Sequence, residues 1–379
     1  MMPSVYIHIP FCQSRCIYCD FYSTTQLSRQ SQYIDCVERE MRLRHDEWPQ
    51  HARTSSIYIG GGTPSTLPAP LLQRLLDCTV ALFPPAEDAE ITVEANPDDV
   101  TEEWAKALRQ TPVNRVSMGV QTFQDPLLQT LRRRHSSEQA RQAVRLLREA
   151  GFENLSIDLI YGLPGQTLSM WQQDVDEALR LGTPHISAYS LMYEEDTPIT
   201  RMLEEGLVEE MSDELSLKCY EHLCHRLAAA GYEHYEISNF ALPKMHSRHN
   251  SGYWTGEPYL GFGAGAHSYD GQATRRSNKD SLPHYIQCLS GSADTSYFDL
   301  ERLSPTDLYN EYIMTRLRTA RGFSLGTLKE RFGTEAASHC VQMMQPHLQK
   351  ENLIQQGDQV YLSEQGIFVS NDVISDLFI

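Results

Sequence analysis

Six short runs rich in β-branched residues, at 4–11, 56–60, 90–95, 115–120, 155–163 and 185–191, alternate with segments of helical period. No other feature limits the fold of this chain as strongly. In "SSEQARQAVRLLREAG", Ser136 caps with Gln139 three residues on, Ala140, Val144 and Leu147 share one face, and Gly151 ends the helix. "LSMWQQDVDEALRLG" repeats the logic, with Trp171, Val175 and Ala178 on one face and Gly182 as the stop. Near-continuous apolar strands between helices predict an α/β fold, a parallel sheet with helices outside. Glu94, Gln121 and Asp158 fall in or just after "ITVEANP", "SMGVQTF" and "SIDLIYGLP". Polar residues at strand ends favour a closed or partly closed barrel over an open doubly wound sheet, because barrel chemistry gathers at the C-terminal ends of strands.

The first strand runs into "PFCQSRCIYCDF", where Cys12, Cys16 and Cys19 follow one another at spacings of four and three. A Cys-x3-Cys-x2-Cys loop offers three soft ligands to iron or zinc. A structural zinc site needs a fourth protein ligand; Asp20 is a harder donor and His8 lies within the strand. Three thiolates suit an iron-sulfur cubane with one iron left open, and a zinc knuckle completed from afar or three buried thiols are the competing readings. The other six of the nine cysteines, Cys36, Cys78, Cys219, Cys224, Cys288 and Cys340, show no repeating spacing and read as small buried hydrophobes.

After the second strand comes "GGGTPS", Gly60 to Ser65, where glycines let backbone approach a ligand closely or simply turn the chain. Asp158 inside an apolar strand is costly unless it is paired or functional. "HNSGYW", His249 to Trp254, sets an imidazole among aromatics, which suits a porphyrin as well as an ordinary hydrogen-bonded loop. His246 completes "HSRH", a weak two-histidine metal pattern, and His267 in "GAHSY" has no assigned role.

The cysteine triplet with Tyr18 before its last member resembles the radical SAM superfamily. There the open iron chelates the amino and carboxylate groups of S-adenosylmethionine (SAM). The motifs "YIHIPFC", "GGGTPS", "EANP", "RVSMGVQTF", "DLIYGLPGQT", "YEISNFA", "HNSGYW" and "GFGAGAHSY" follow in the order of the coproporphyrinogen oxidase branch, and most closely that of the HemW haem chaperones. This resemblance implies a partial (β/α)6 TIM-like barrel carrying a 4Fe-4S cluster on Cys12, Cys16 and Cys19. It also implies a SAM pocket formed by Tyr6, Tyr18, Gly61, Gly62, Thr63, Glu94, Gln121, Arg133 and Asp158, and haem ligated by His249. Related sequences carry glycine at the place of Arg132, which leaves the register of Arg132 to Arg134 open. The implied partners are haem and haem-accepting proteins, respiratory enzymes at the membrane among them, with a homodimer as one assembly.

Two departures separate the chain from the oxidase. Phe21 stands where the oxidase has a further cysteine, and the first strand starts at about the fourth residue without a long preceding arm. Decarboxylation of coproporphyrinogen III remains the enzymatic rival, with SAM-dependent opening of the haem ring and a zinc module behind it.

The 379 residues carry a net charge of −18, which disfavours nucleic acid. No apolar run is long enough to span a bilayer and no secretory leader is recognisable, so a cytoplasmic protein is expected. The pattern changes after Asn278, which places the barrel with its haem motif at 1–278 and a helical, winged-helix-like domain at 279–379. Residues 304–379 hold six basic and nine acidic side chains, so that domain is expected to act as a lid or interaction unit.

Overall fold

A computed structural model describes residues 3–48, 52–291 and 294–379. All six expected strands are present: β1 (Ser4–Ile9), β2 (Thr54–Gly61), β3 (Pro85–Ala95), β4 (Arg115–Gln121), β5 (Leu155–Tyr161) and β6 (His185–Ser190). They pair in that order and all in parallel. The helix Ser137–Glu149 carries the expected capping box between Ser136 and Gln139. The helix Leu168–Leu181 ends on Gly182 in the left-handed conformation.

Alternation along these strands gives the sheet two different faces. Ile57, Ile59, Val93, Val116, Met118, Ile157 and Leu159 are buried in the main core with the surrounding helices. The other face presents Ser56, Glu90, Thr92, Arg115, Ser117, Ser156, His185 and Ser187, all buried and all polar. The strands are therefore not apolar throughout. Their inner face is a polar lining, and this is where the site lies.

The barrel is open. β7 (Glu233–Glu236) and β8 (Asn239–Ala241) extend the β6 edge antiparallel, β8 against β6. At the other edge β9 (Tyr259–Phe262) runs parallel to β1, and β10 (His267–Tyr269), β11 (Thr274–Asn278) and β12 (Phe298–Arg302) follow antiparallel.

The pairing of β12 with β11 moves the domain boundary. The described residues between 279 and 303 belong to the large sheet and its core, since the helix Leu282–Ser290 buries Tyr285 and Ile286 there. A separate apolar core begins with Tyr309, Tyr312 and Ile313 and closes with Val373, Ile374 and Leu377. The boundary thus falls near residue 303 rather than 278. This second unit contains the helix Pro305–Leu317 and the helical stretch Leu325–Gln349, broken at Gly333 (φ 88°). Its small antiparallel sheet comprises β13 (Phe323–Ser324), β14 (Leu353–Gln356) and β15 (Gln359–Leu362), a helix-and-wing arrangement like the one expected.

Candidate functional site

The loop after β1 is pinned at both ends. The Cys12 N–H donates to the Thr24 carbonyl at 2.9 Å, and the Thr24 N–H to that of Pro10 at 2.6 Å. Between Cys16 and Cys19 the chain drops Ile17 into a satellite core with Leu127, Leu131, Ile160 and Leu191. With Ile17 held below, Cys12, Cys16 and Cys19 all line one cavity of about 390 Å³. Their sulfurs do not converge on one point: among the described residues no three His, Cys, Asp or Glu side chains are placed to share a single ion. A cubane engages each thiolate at a different iron, so it asks for no such convergence. Burial pushes the Cys12 thiol up and the Cys19 thiol to about 11. A metal centre would have to displace those protons on binding. The loop and its three thiols fit a 4Fe-4S cluster.

The opposite wall comes from the inner face of the strands. Glu94 on β3 accepts from Tyr58 OH at 2.7 Å and from the Gly61 N–H at 3.1 Å. Burial, with a contribution from the charge of Asp158, raises the Glu94 carboxyl to about 7. Burial likewise raises Asp158 on β5 to about 6, opposed by hydrogen bonds from Ser187 and Ser117. Gln121 lines the same cavity at the bulged end of β4 with φ 69°.

Within the arginine run the side chains part company. Arg133 Nη1 donates to Cys16 Sγ at 3.4 Å, and its Nη2 donates to Asn96 Oδ1 at 2.8 Å and the Gly119 carbonyl at 2.5 Å. Arg134 pairs with Asp98 and Asp99, and Arg132 is exposed with φ 56°. A positive φ is a conformation that glycine adopts most readily.

The triple glycine is required by packing as well as by any ligand. A Cβ on Gly61 (φ 112°) would lie 2.6 Å from the His8 ring, and one on Gly62 would lie 3.0 Å from Cys12 Sγ. Thr63 Oγ1 sits 3.4 Å from that same sulfur.

Cys12, Cys16, Cys19, Tyr18, Gly61, Gly62, Thr63, Glu94, Gln121, Arg133 and Asp158 thus share one cavity. Two expected residues do not. Tyr6 faces a neighbouring cavity of about 360 Å³, where its hydroxyl pairs with His8 Nδ1 at 3.0 Å. His249 is not an accessible loop residue. It sits in the helix Arg248–Thr255, is 2% exposed, and both ring nitrogens are engaged: Nδ1 with Ser56 Oγ at 2.9 Å and Nε2 with Tyr253 OH at 2.9 Å. In this conformation it packs the lower end of the barrel interior, and burial, reinforced by the nearby charge of Arg115, lowers its imidazole to about 3. The two-histidine pattern does not assemble either, because His246 stacks on Tyr235 and pairs with Glu233 at 2.7 Å.

Other wall residues escaped the motif reading: Tyr58, Asn96, Arg115, Ser117, Ser187 and Asn250. Arg115 is 2% exposed; its Nε lies 4.0 Å from the Glu90 carboxylate and makes no hydrogen bond among the described residues, and the Nε of Arg133 makes none either. A buried donor without a hydrogen bond is uncommon, and both arginines lie in the cavity wall. Strand alternation could have flagged Tyr58, Arg115 and Ser117, since each lies two residues from another inward polar group.

The second cavity adjoins the first. Asp20 and Phe21 line both, and its own walls include Tyr22, Tyr253, Tyr259 and His267. The helix Arg248–Thr255 therefore presents Asn250 to one cavity and Tyr253 to the other, with His249 between them.

Residues 6–178 match the radical SAM superfamily model and residues 303–369 the HemN C-terminal domain model. The chain is 37% identical to the haem chaperone HemW of Bacillus subtilis over 98% of each chain. It is 36% identical to that of Lactococcus lactis, covering 98% of this chain and 96% of the relative. For HemW of Escherichia coli the identity is 36%, over 83% and 82%. The solved structure of coproporphyrinogen III oxidase (HemN) from Escherichia coli superposes with a TM-score of 0.85 at 22% identity, covering all of this chain and 90% of that one. That likeness concerns the fold alone.

Proposed function

The chain belongs to the HemW family of haem chaperones within the radical SAM superfamily, and from that membership we propose that it carries haem for delivery to acceptor proteins. A 4Fe-4S cluster would sit on Cys12, Cys16 and Cys19, with SAM across the same cavity. The observation that carries this reading is the one cavity shared by three thiols, the acids Glu94 and Asp158 and the guanidinium groups of Arg115 and Arg133. When bound, the cluster would supply an open iron able to chelate SAM. The surrounding residues supply recognition. Glu94 and Asp158 are poised to ionise against a cationic ligand, Arg133 offers donors to a carboxylate, and Gly61 to Thr63 bring backbone close to the ligand.

The acceptors would be haem proteins, respiratory enzymes at the membrane among them, met by a cytoplasmic chain that can pair as a homodimer. Among the described residues no helix is long and apolar enough to cross a membrane.

The test begins with anaerobic reconstitution of the cluster, followed by haem and an apo-haemoprotein. A haem spectrum that moves from this protein to the acceptor, with no protoporphyrinogen formed from coproporphyrinogen III, SAM and reductant, is the expected result. Turnover of the porphyrinogen would replace the chaperone reading with that of an oxidase.

A further inference from the structure

Asn96 directly follows β3, and the sheet order β2–β3–β4 places it between the loop that leaves β2 and the segment beyond β4 that carries Arg133. It uses both ends of its amide. Oδ1 accepts from Arg133 Nη2 at 2.8 Å, and Nδ2 donates to Thr63 Oγ1 at 3.4 Å. A guanidinium carries donors only, so the amide atom that faces it is the oxygen and the nitrogen is turned to Thr63. Each of the two groups held in this way touches a thiol of the cluster loop. Arg133 Nη1 lies 3.4 Å from Cys16 Sγ, and Thr63 Oγ1 lies 3.4 Å from Cys12 Sγ.

The polarity of the amide decides what the Thr63 hydroxyl does. Its oxygen accepts from Asn96, which leaves its single proton for Cys12, and a metal-bound thiolate there can only accept. The amide is itself held in place. Its backbone N–H donates to Ser65 Oγ at 3.1 Å, and Ser65 Oγ donates to Asp99 Oδ2 at 2.7 Å. Arg134 holds Asp99 in turn, at 2.8 Å. Pro97 follows directly and keeps Asn96 extended, at φ −88° and ψ 141°.

We infer that Asn96 is a positioning residue that aims the Thr63 hydroxyl at the sulfur of Cys12 and the Arg133 guanidinium at that of Cys16, and through them sets the reduction potential of the cluster. The inference rests on the reading above, in which these thiols hold a 4Fe-4S cluster. Hydrogen bonds to cysteine sulfur favour the reduced, more negative form, so each donor raises the potential.

The experiment is a potentiometric titration of the full, cluster-loaded protein without SAM, read by electron paramagnetic resonance, for wild type, Thr63→Val, Asn96→Asp and the double variant. Iron and sulfide contents verify that each has folded around its cluster. Thr63→Val removes the donor to Cys12 and should lower the potential. Asn96→Asp should lower it for two reasons, the added charge and the capture of the Thr63 proton by the new carboxylate. In the Thr63→Val background only the charge is left, so Asn96→Asp should shift the potential there by less than it does alone. Asn96→Ala, which adds no charge, completes the same cycle if the carboxylate variant does not load its cluster. Additive shifts, or an unchanged potential in Thr63→Val, would overturn the inference and leave the cluster reading intact. Failure of the wild-type protein to assemble a cluster would remove both.

Discussion

Asp158 and Glu94 hold protons in the folded chain that the unfolded chain has already released. In the unfolded state such carboxyls titrate near about 4, whereas in the barrel they do so at about 6 and about 7. The folded state binds more protons across that interval, so stability falls as pH rises through it. Asp158→Asn should therefore stabilise the ligand-free protein by up to about 3 kcal/mol at about pH 8, with the gain fading towards about pH 5. The same substitution should weaken SAM binding. Urea denaturation at the two pH values is the measurement, and an equal gain at both would mean that Asp158 is ionised throughout. Asp158 was legible in the sequence because a carboxylate stands out in an apolar run. Tyr58 and Arg115 belong to no motif, and only their alternation with Ser56 and Ser117 along the strand marks them as inward. The register of Arg133 was equally hidden, since only the left-handed turn at Arg132 decides which guanidinium reaches Cys16.

The helix Arg248–Thr255 shows what an element can conceal. Its sequence, rich in Asn, Ser and Gly, has poor helix propensity and reads as a loop. Tertiary contacts impose the helix. Ser247 caps it by accepting from the Asn250 N–H and also donates to buried Glu90, which accepts the N–H groups of Arg248 and His249 as well. A carboxylate at a helix N-terminus opposes the exposed dipole. Ser247→Ala should cost about 1–2 kcal/mol in chemical denaturation. Ser251→Ala, which removes only a bond back to the Ser247 carbonyl, should cost less. The opposite order would mean that the helix is held from its far end. The short strands β7 to β12 went unread for a related reason: segments such as "HSY" and "TRRSN" acquire strand identity from their neighbours rather than from composition.

At the scale of the whole molecule there are two cores, and all four tryptophans, Trp48, Trp104, Trp171 and Trp254, lie in the first unit. Denaturation followed by tryptophan fluorescence and by far-ultraviolet circular dichroism should give curves that do not coincide, because Trp48, Trp104 and Trp171 report the first core while the second signal also reports the helices of the C-terminal unit. Coincident curves would mean that the docking of the units is strong enough to make them one cooperative block. The units dock through apolar and polar contacts, Phe368 packing against Tyr220 among them. The Ile237 N–H donates to the Arg318 carbonyl, Arg275 pairs with Glu311 at 2.8 Å, and Arg318 lies over the Trp254 ring at 5.0 Å. Arg316 donates to the Thr255 carbonyl at 2.9 Å. Trp254 and Thr255 end the same helix whose first turn enters the barrel through His249. The barrel is thus a tube stoppered from below, with the C-terminal unit gripping the handle of the stopper. Arg316 and Arg318 thus brace the end of the helix that carries His249, so the C-terminal unit is tied to the packing of the barrel interior.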